Sequence, residues 1–338
     1  PFVYRLGQLV FILQRGVRFP QGPPKIIMIS VCVIGYGYWG PNLCRNFSNA
    51  DGFKLDAICD ISDKNVSLSK KNYPGIKIYK DYKKAIKENN FKLIVLATPT
   101  STHYNLSKFI LNSSINLLVE KPLCLSVRDH LNLNKIAKKK NVRIFVDYPF
   151  IFSGSIRYIK SIYHKKKYGK LLSIESFREQ APIRKDTNVL WDLAIHDVSI
   201  INFILDDSNL KITSLIKSNR GKKNYSKINI NLRSKNNVDI FIKNNWKSPT
   251  KIRLIKFIFQ NAIIYCDENE TLYKIKVYKS YKNKFNQYSL EIPQIDLTEP
   301  LTNLAKYIHK NINKKTLNNE DNKFNFSVTK LMVKIDRK

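Results

Sequence analysis

Ile29-Ser-Val-Cys-Val-Ile-Gly-Tyr-Gly-Tyr-Trp-Gly-Pro-Asn42 is the stretch on which the fold turns. Its first five residues, rich in β-branched side chains, read as a strand buried on both faces. They run into Gly35, Gly37 and Gly40, the G-x-G-x-x-G spacing, and then Pro41, which suits the first turn of a helix because it has no N–H to leave unpaired. Gly35 permits a tight turn, Gly37 lets a pyrophosphate approach the backbone, and Gly40 lets the helix pack close to the strand. The free N–H groups of the helix N-terminus then face the phosphates. A glycine triplet alone is a weak signal. A strand before it and a helix after it are what a dinucleotide site requires.

Working outward, strands and helices alternate from Met28 to about residue 150. The expected strands are Phe53–Cys59, Ile76–Tyr79, Leu93–Ala97, Asn116–Val119 and Val142–Val146, with helices between them. That rhythm predicts a parallel, doubly wound α/β sheet of the Rossmann type. After Tyr148–Ser155 it changes. Helices at Ile156–His164 and Val189–Leu205 frame a strand at Leu171–Phe177, and six strands follow without intervening helices. Alternating apolar and polar residues in Ile228–Leu232 and Val238–Lys243 mark a mostly antiparallel open sheet with one wet face. Helices near Leu301–Asn311 and Phe326–Ile335 end the pattern. The expected division is therefore 1–27 as an extension outside the fold, 28–150 as the dinucleotide-binding domain, and 151–338 as an α+β domain for substrate binding and oligomerisation.

Composition narrows the classes. The 338 residues favour two domains over one. No apolar run approaches the roughly 20 residues that cross a bilayer. Residues 1–27 lack both the apolar core and the cleavage site of a secretory signal, and Met28 sits directly before the first strand, as if an upstream extension had been added. The 59 basic and 26 acidic residues leave a formal charge of +33. A nucleic-acid or anionic-surface binder is one reading of that charge. The lysines, however, are scattered from end to end rather than gathered in a stripe, which favours a compositional origin and no specific nucleic-acid partner. Five cysteines without C-x-x-C or Cys/His spacing argue against a disulfide framework or a metal site and fit a cytoplasmic protein.

Four groups of residues carry candidate chemistry. Asp60, 20 positions beyond Gly40 at the end of the second strand, is placed to bind the ribose 2′-hydroxyl of NAD and to repel the 2′-phosphate of NADP. Tyr38 and Trp39 in the glycine turn, and Thr98, Pro99 and His103 at the tip of the Leu93–Ala97 strand, border the same crevice. Glu120-Lys121-Pro122 ends the next strand, so Lys121 faces the nicotinamide end of a bound dinucleotide, where its amine would hydrogen-bond a substrate hydroxyl. A surface ion pair between Lys121 and Glu120 is the competing reading. Asp192 and His196 stand four apart in Trp191-Asp-Leu-Ala-Ile-His-Asp197, a spacing that puts carboxylate and imidazole on one helix face. Histidine is the natural proton acceptor near neutral pH. His130, His164 and His309 lie in lysine-rich or exposed contexts and read as surface residues.

Together, Gly35–Asn42, Glu120–Pro122 and Trp191–Asp197 resemble the motifs of the Gfo/Idh/MocA oxidoreductases, in order and in a two-domain frame. Trp246-Lys-Ser-Pro-Thr-Lys-Ile-Arg253 is similar to a segment of one branch, the bacterial sugar-nucleotide dehydrogenases of surface-polysaccharide pathways. The resemblance implies an NAD(P)-binding Rossmann domain followed by a domain whose open sheet forms a homo-oligomer interface, in a dimer or tetramer. It implies oxidation of a ring hydroxyl of a sugar or nucleotide sugar, extending to C3 of a UDP-N-acetylhexosaminuronate. Lys121 or His196 would take the hydroxyl proton while the hydride moves to nicotinamide, and Asp192 would position substrate and imidazole. Glu120 joins the cofactor contacts, and Arg178, Arg184 and Asn188 are substrate contacts by position. Two alternatives follow from the same family: an NAD-dependent glycosidase and a non-catalytic NAD-binding regulator. Tyr148 stands where many branch members have a histidine, Gln260-Asn261 where they have a glycine, and the family's usual final residues are not seen after the last helix.

Overall fold

The computed structural model describes residues 28–184, 187–219, 225–280, 288–314 and 319–338, so the expectation for residues 1–27 lies outside the described residues. The first lobe is a six-stranded parallel sheet: β1 (Ile29–Ile34), β2 (Phe53–Cys59), β3 (Lys77–Tyr79), β4 (Leu93–Leu96), β5 (Asn116–Glu120) and β6 (Ile144–Asp147), in the order β3-β2-β1-β4-β5-β6. Helices α1 (Gly40–Asn49), α2 (Asp63–Asn72), α3 (Tyr82–Glu88), α4 (Thr100–Asn112) and α5 (Val127–Lys140) make the crossovers. Val31, Val33, Leu93, Val95, Leu117 and Val119 are solvent-free, as strands covered on both faces must be. Strand order reverses between β1 and β4, and a crevice opens at the carboxyl ends of the strands there.

The second lobe is an eight-stranded sheet, β14-β13-β12-β11-β7-β10-β9-β8, built from β7 (Leu171–Glu179), β8 (Lys211–Asn219), β9 (Tyr225–Arg233), β10 (Asp239–Asn245), β11 (Ile252–Phe259), β12 (Ala262–Asp267), β13 (Ile275–Ser280) and β14 (Tyr288–Glu291). Every neighbouring pair is antiparallel except β7 with β10. Helices α6 (Gly154–His164) and α7 (Ile195–Leu205) pack together. Asp197 of α7 ties one sheet face to the helices through Ser176, Arg178 and Asn244. The other face carries ion pairs such as Lys243–Glu179 and Lys256–Glu175.

The expected doubly wound sheet and the mostly antiparallel second sheet are both present. Differences lie in the details. Strand β14 has no counterpart among the expected strands. The helix expected at Val189–Leu205 opens with a π-helical turn, Leu190–Ala194, before α7 begins. The last two helices, α8 (Pro300–Asn311) and α9 (Asn319–Arg337), return to the first lobe. Arg45 of α1 forms a two-point ion pair with Glu299 just before α8, at 2.9 and 2.7 Å. His130, expected at the surface, is fully buried because α9 covers α5, and its ring meets the Thr329 hydroxyl at 2.9 Å. Burial pushes the His130 pKa down to about 4. His164 and His309 are exposed, in line with expectation.

Candidate active site

The glycine turn is built by close approach. Gly35 has φ +100°, and a Cβ there would sit 2.5 Å from the Ala97 carbonyl oxygen. A Cβ on Gly40 would sit 2.1 Å from the Gly35 carbonyl, so only glycine lets α1 start where it does. Gly37 differs: nothing lies within 4 Å of its added Cβ, and the space over the turn is open. A turn closed on the protein side and open on the other is the cradle a pyrophosphate needs. Tyr38 projects from it, 92% exposed. Trp39 is anchored instead, its indole N–H donating to Asp147 Oδ2 at 2.9 Å. The Asp60 carboxylate is held at the end of β2 by N–H groups of Tyr36 (2.6 Å) and Ser62 (2.8 Å) and by the Asn65 amide (3.2 Å). These residues fit a dinucleotide, with the Asp60 charge fixed at the carboxyl end of β2 beside the glycine turn.

Across the crevice, the Thr98 hydroxyl pairs with Thr102 at 2.7 Å, and Pro99 precedes α4. His103 is buried, with Nε2 2.8 Å from the Thr98 carbonyl and Nδ1 2.7 Å from the Pro122 carbonyl. Burial pushes its pKa down, against the pull of the two carbonyls. Both ring nitrogens thus face backbone carbonyls, to one of which the neutral ring donates, and the side chain lies between the β4 loop and the Lys121–Pro122 turn.

Lys121 reaches into the second lobe. Its Nζ donates to the Asp192 carbonyl at 2.8 Å and lies 3.5 Å from Asp192 Oδ1, with both side chains less than a tenth exposed. The surface pair with Glu120 does not form. Asp192 Oδ1 also accepts from Arg184 Nη1 at 3.1 Å, and Oδ2 accepts from the Trp246 indole at 3.0 Å. Asn188 caps the π turn by accepting the Trp191 N–H at 3.1 Å. Asp192 lies in that wider turn and His196 in the first turn of α7. No hydrogen bond links them among the described residues. His196 sets its ring edge-on to Phe150 at 5.1 Å, and its buried Nδ1 has no partner. Burial, then the positive charges of Lys121, Arg178 and Arg253, hold its pKa well below the usual histidine range. The imidazole is therefore neutral at pH 7, within electrostatic reach of the Lys121 amine.

Glu120 and Asp147 face each other across β5 and β6. Glu120 Oε2 and Asp147 Oδ1 are buried without partners. Burial raises Glu120 to about 8, opposed by Lys121 and reinforced by Asp147. Burial likewise raises Asp147 to about 6. Asp147, Phe150, Trp246 and Arg253 are site residues that the sequence reading did not assign. Trp246 and Arg253 bound one of the segments that carried the resemblance, and Asp147 ends a buried strand at the same edge as Asp60 and Glu120, so both signals were present. No group of three or more His, Cys, Asp or Glu among the described residues could hold a metal, and the five cysteines are free and buried.

Sheet order and glycine turn together define an α/β protein with a Rossmann-type nucleotide-binding lobe. Residues 29–148 match the family model GFO_IDH_MocA, described as "Oxidoreductase family, NAD-binding Rossmann fold". It is 27% identical over 182 residues to a myo-inositol 2-dehydrogenase of Thermotoga maritima, covering 52% of this chain and 54% of that protein. It is 21% identical over 237 residues to a glucose-6-phosphate 3-dehydrogenase of Bacillus subtilis, covering 63% and 67%. The chain spans about half the length of the first of these relatives. The fold is shared by KijD10, a 3-ketoreductase from Actinomadura kijaniata in complex with TDP-benzene and NADP, with a TM-score of 0.81 at 12% identity over 92% of this chain and 97% of that one. An oxidoreductase from Agrobacterium radiobacter in complex with NAD+, L-tartaric acid and magnesium superposes with a TM-score of 0.75 at 16% identity, covering 91% and 96%.

Proposed function

We propose that the protein oxidises a ring hydroxyl of a sugar or nucleotide sugar, with the hydride passing to a bound nicotinamide. The observation that carries this reading is the Lys121 amine, buried at the crevice and held by Asp192 from the opposite lobe, beside a neutral imidazole at His196. When bound, NAD(P) supplies the hydride acceptor. Lys121 donates a hydrogen bond to the substrate oxygen and stabilises the negative charge that grows there. His196 takes the hydroxyl proton, and Asp192 fixes both the amine and the Arg184 guanidinium. His103 acts at one remove, by fixing the turn that presents Lys121. Asp60 at the ribose end favours NAD, because a second negative charge there would meet its carboxylate. Tyr38, Trp39, Thr98, Pro99 and Glu120 complete the cofactor side. Arg178, Arg184 and Asn188 line the substrate side, the last two through their hold on the Asp192 turn. C3 of a UDP-N-acetylhexosaminuronate is the specific position this reading extends to.

The test is reduction of NAD in the presence of a panel of sugars and nucleotide sugars, followed by the nicotinamide absorbance. Lys121→Met and His196→Asn should each lower turnover by roughly 100-fold or more with NAD affinity retained. Full turnover in both variants would remove the mechanism. The wet face of the second sheet supports a homo-oligomer, which light scattering checks: a mass of one chain would exclude it.

A further inference from the structure

Three buried polar atoms without partners converge on one aromatic ring. Arg178, 2% exposed, has its Cζ 4.5 Å from the Phe150 centroid, and its Nη1 is unpaired. Arg253 has its Cζ 5.5 Å from the same centroid, and its Nε is unpaired. His196, with Nδ1 unpaired, sets its ring edge-on to the same ring at 5.1 Å. Buried donors are ordinarily satisfied, because leaving one bare costs roughly 1–3 kcal/mol, and more if charged.

The strand register sharpens the point. Arg178 on β7 and Arg253 on β11 are directly opposite one another. Like charges in that position repel, and a sheet tolerates them when a counter-charge lies between. The carboxylates nearby are engaged elsewhere. Asp197 answers Arg178 Nε at 3.0 Å and the Asn244 amide. Glu268 is held by Ser155 and by Lys274 at 3.3 Å. No carboxylate among the described residues forms an ion pair with Arg253. Exposed Lys251, two residues along the same strand, feels both guanidinium charges, and Arg253 foremost holds its pKa below the usual lysine range. This corner of the crevice has cations to spare.

We propose that Arg178 and Arg253, standing over Phe150 beside His196, together with Lys251 two residues before Arg253, form an anion subsite for a carboxylate or phosphate carried on the sugar ring that is oxidised. The inference rests on the sugar reading above and narrows it to acidic sugars. An anion here ends the repulsion between the facing arginines, takes up the free Nη1 and Nε donors, and fixes the ring so that one carbinol meets His196 and Lys121. Bidentate recognition of planar oxyanions is what paired guanidinium groups do best.

The experiment measures binding to the full chain saturated with NAD, by calorimetry, for two pairs of probes. UDP-glucuronate and UDP-glucose differ in a ring carboxylate, while glucose 6-phosphate and glucose differ in a phosphate. In at least one pair the acidic member should bind about 10-fold tighter or more, as charge-assisted hydrogen bonds require. The pair that shows it names the anion. Arg253→Gln should bring that ratio close to unity while NAD affinity holds, and Arg253→Lys should keep part of it. Equal binding within both pairs, or a ratio that survives Arg253→Gln, overturns the subsite while leaving the sugar reading intact. NAD binding with no binding of any probe overturns both.

Discussion

Glu120→Gln should make the protein progressively more stable, relative to the parent, as pH rises from mild acid through neutrality. Glu120 and Asp147 are cross-strand partners at the carboxyl edge of the first sheet, and each has one buried oxygen with no hydrogen bond. Burial is the main reason that the folded Glu120 pKa is raised from 4.5 to about 8. The folded state therefore holds this proton more tightly than the unfolded chain does. Stability from the group is complete below the unfolded value and is lost as pH rises from about 4.5 to about 8. Each unit corresponds to about 1.4 kcal/mol, and the Lys121 charge already softens the penalty, so a loss of roughly 2–5 kcal/mol is expected. Glutamine keeps the shape of the protonated acid and cannot ionise. With unfolding entropy of about 2.1 cal/mol/K per residue over roughly 300 residues, the difference amounts to about 3–8 °C in Tm. The assay is thermal melting of both proteins from pH 5 to pH 9, without cofactor. The curves should lie close together at pH 5, draw apart progressively up to about pH 8 and run parallel beyond it, with the variant higher. Asp147, raised from 3.8 to about 6, contributes a loss of the same sign at lower pH in both proteins. Parallel curves across the range would show that Glu120 ionises freely and that the buried-carboxylate account is wrong.

Gly37→Val should weaken NAD binding by about 10-fold or more while the melting temperature without cofactor stays put. Nothing in the protein lies within 4 Å of the new Cβ, yet it fills the space that a pyrophosphate enters. Gly40→Ala should do the reverse of the second part and destabilise the fold, since its Cβ would meet the Gly35 carbonyl at 2.1 Å, and equal melts for the two variants would contradict this division of roles. Asp192→Asn removes the charge that answers buried Lys121 and half-exposed Arg184. It should cost roughly 2–4 kcal/mol by chemical denaturation and lower turnover with NAD affinity unchanged. Unaltered stability and turnover would mean that the inter-lobe contact is incidental.

Much of this was legible because it is local. A strand covered on both faces shows as an apolar run, a glycine turn shows as spacing, and parallel topology sends every strand's last residue to the same edge. Asp60, Glu120 and Lys121 could be placed together from chain order alone for that reason. The partner of each group is a different matter. Lys121 looked able to pair with its neighbour Glu120, but an extended strand sends adjacent side chains to opposite faces, and the amine found Asp192 from 71 residues away. His130 sits in a helix ending in three lysines and read as exposed, yet its burial depends on α9, whose position no pattern near residue 130 encodes. Asp192 sits in the π turn Leu190–Ala194, which no spacing in the sequence announced. Trp246, just after β10 and more than fifty residues away in sequence, supplies the N–H that this carboxylate accepts. The same reasoning explains why Arg178 and Arg253 were not paired in advance. They face each other only because β7 and β11, distant in sequence, are neighbours in the sheet, and repulsion between two buried guanidinium groups becomes visible only once that register is known. Sequence thus reveals which groups reach the crevice, and register decides which of them still lack a partner and therefore what a ligand must bring.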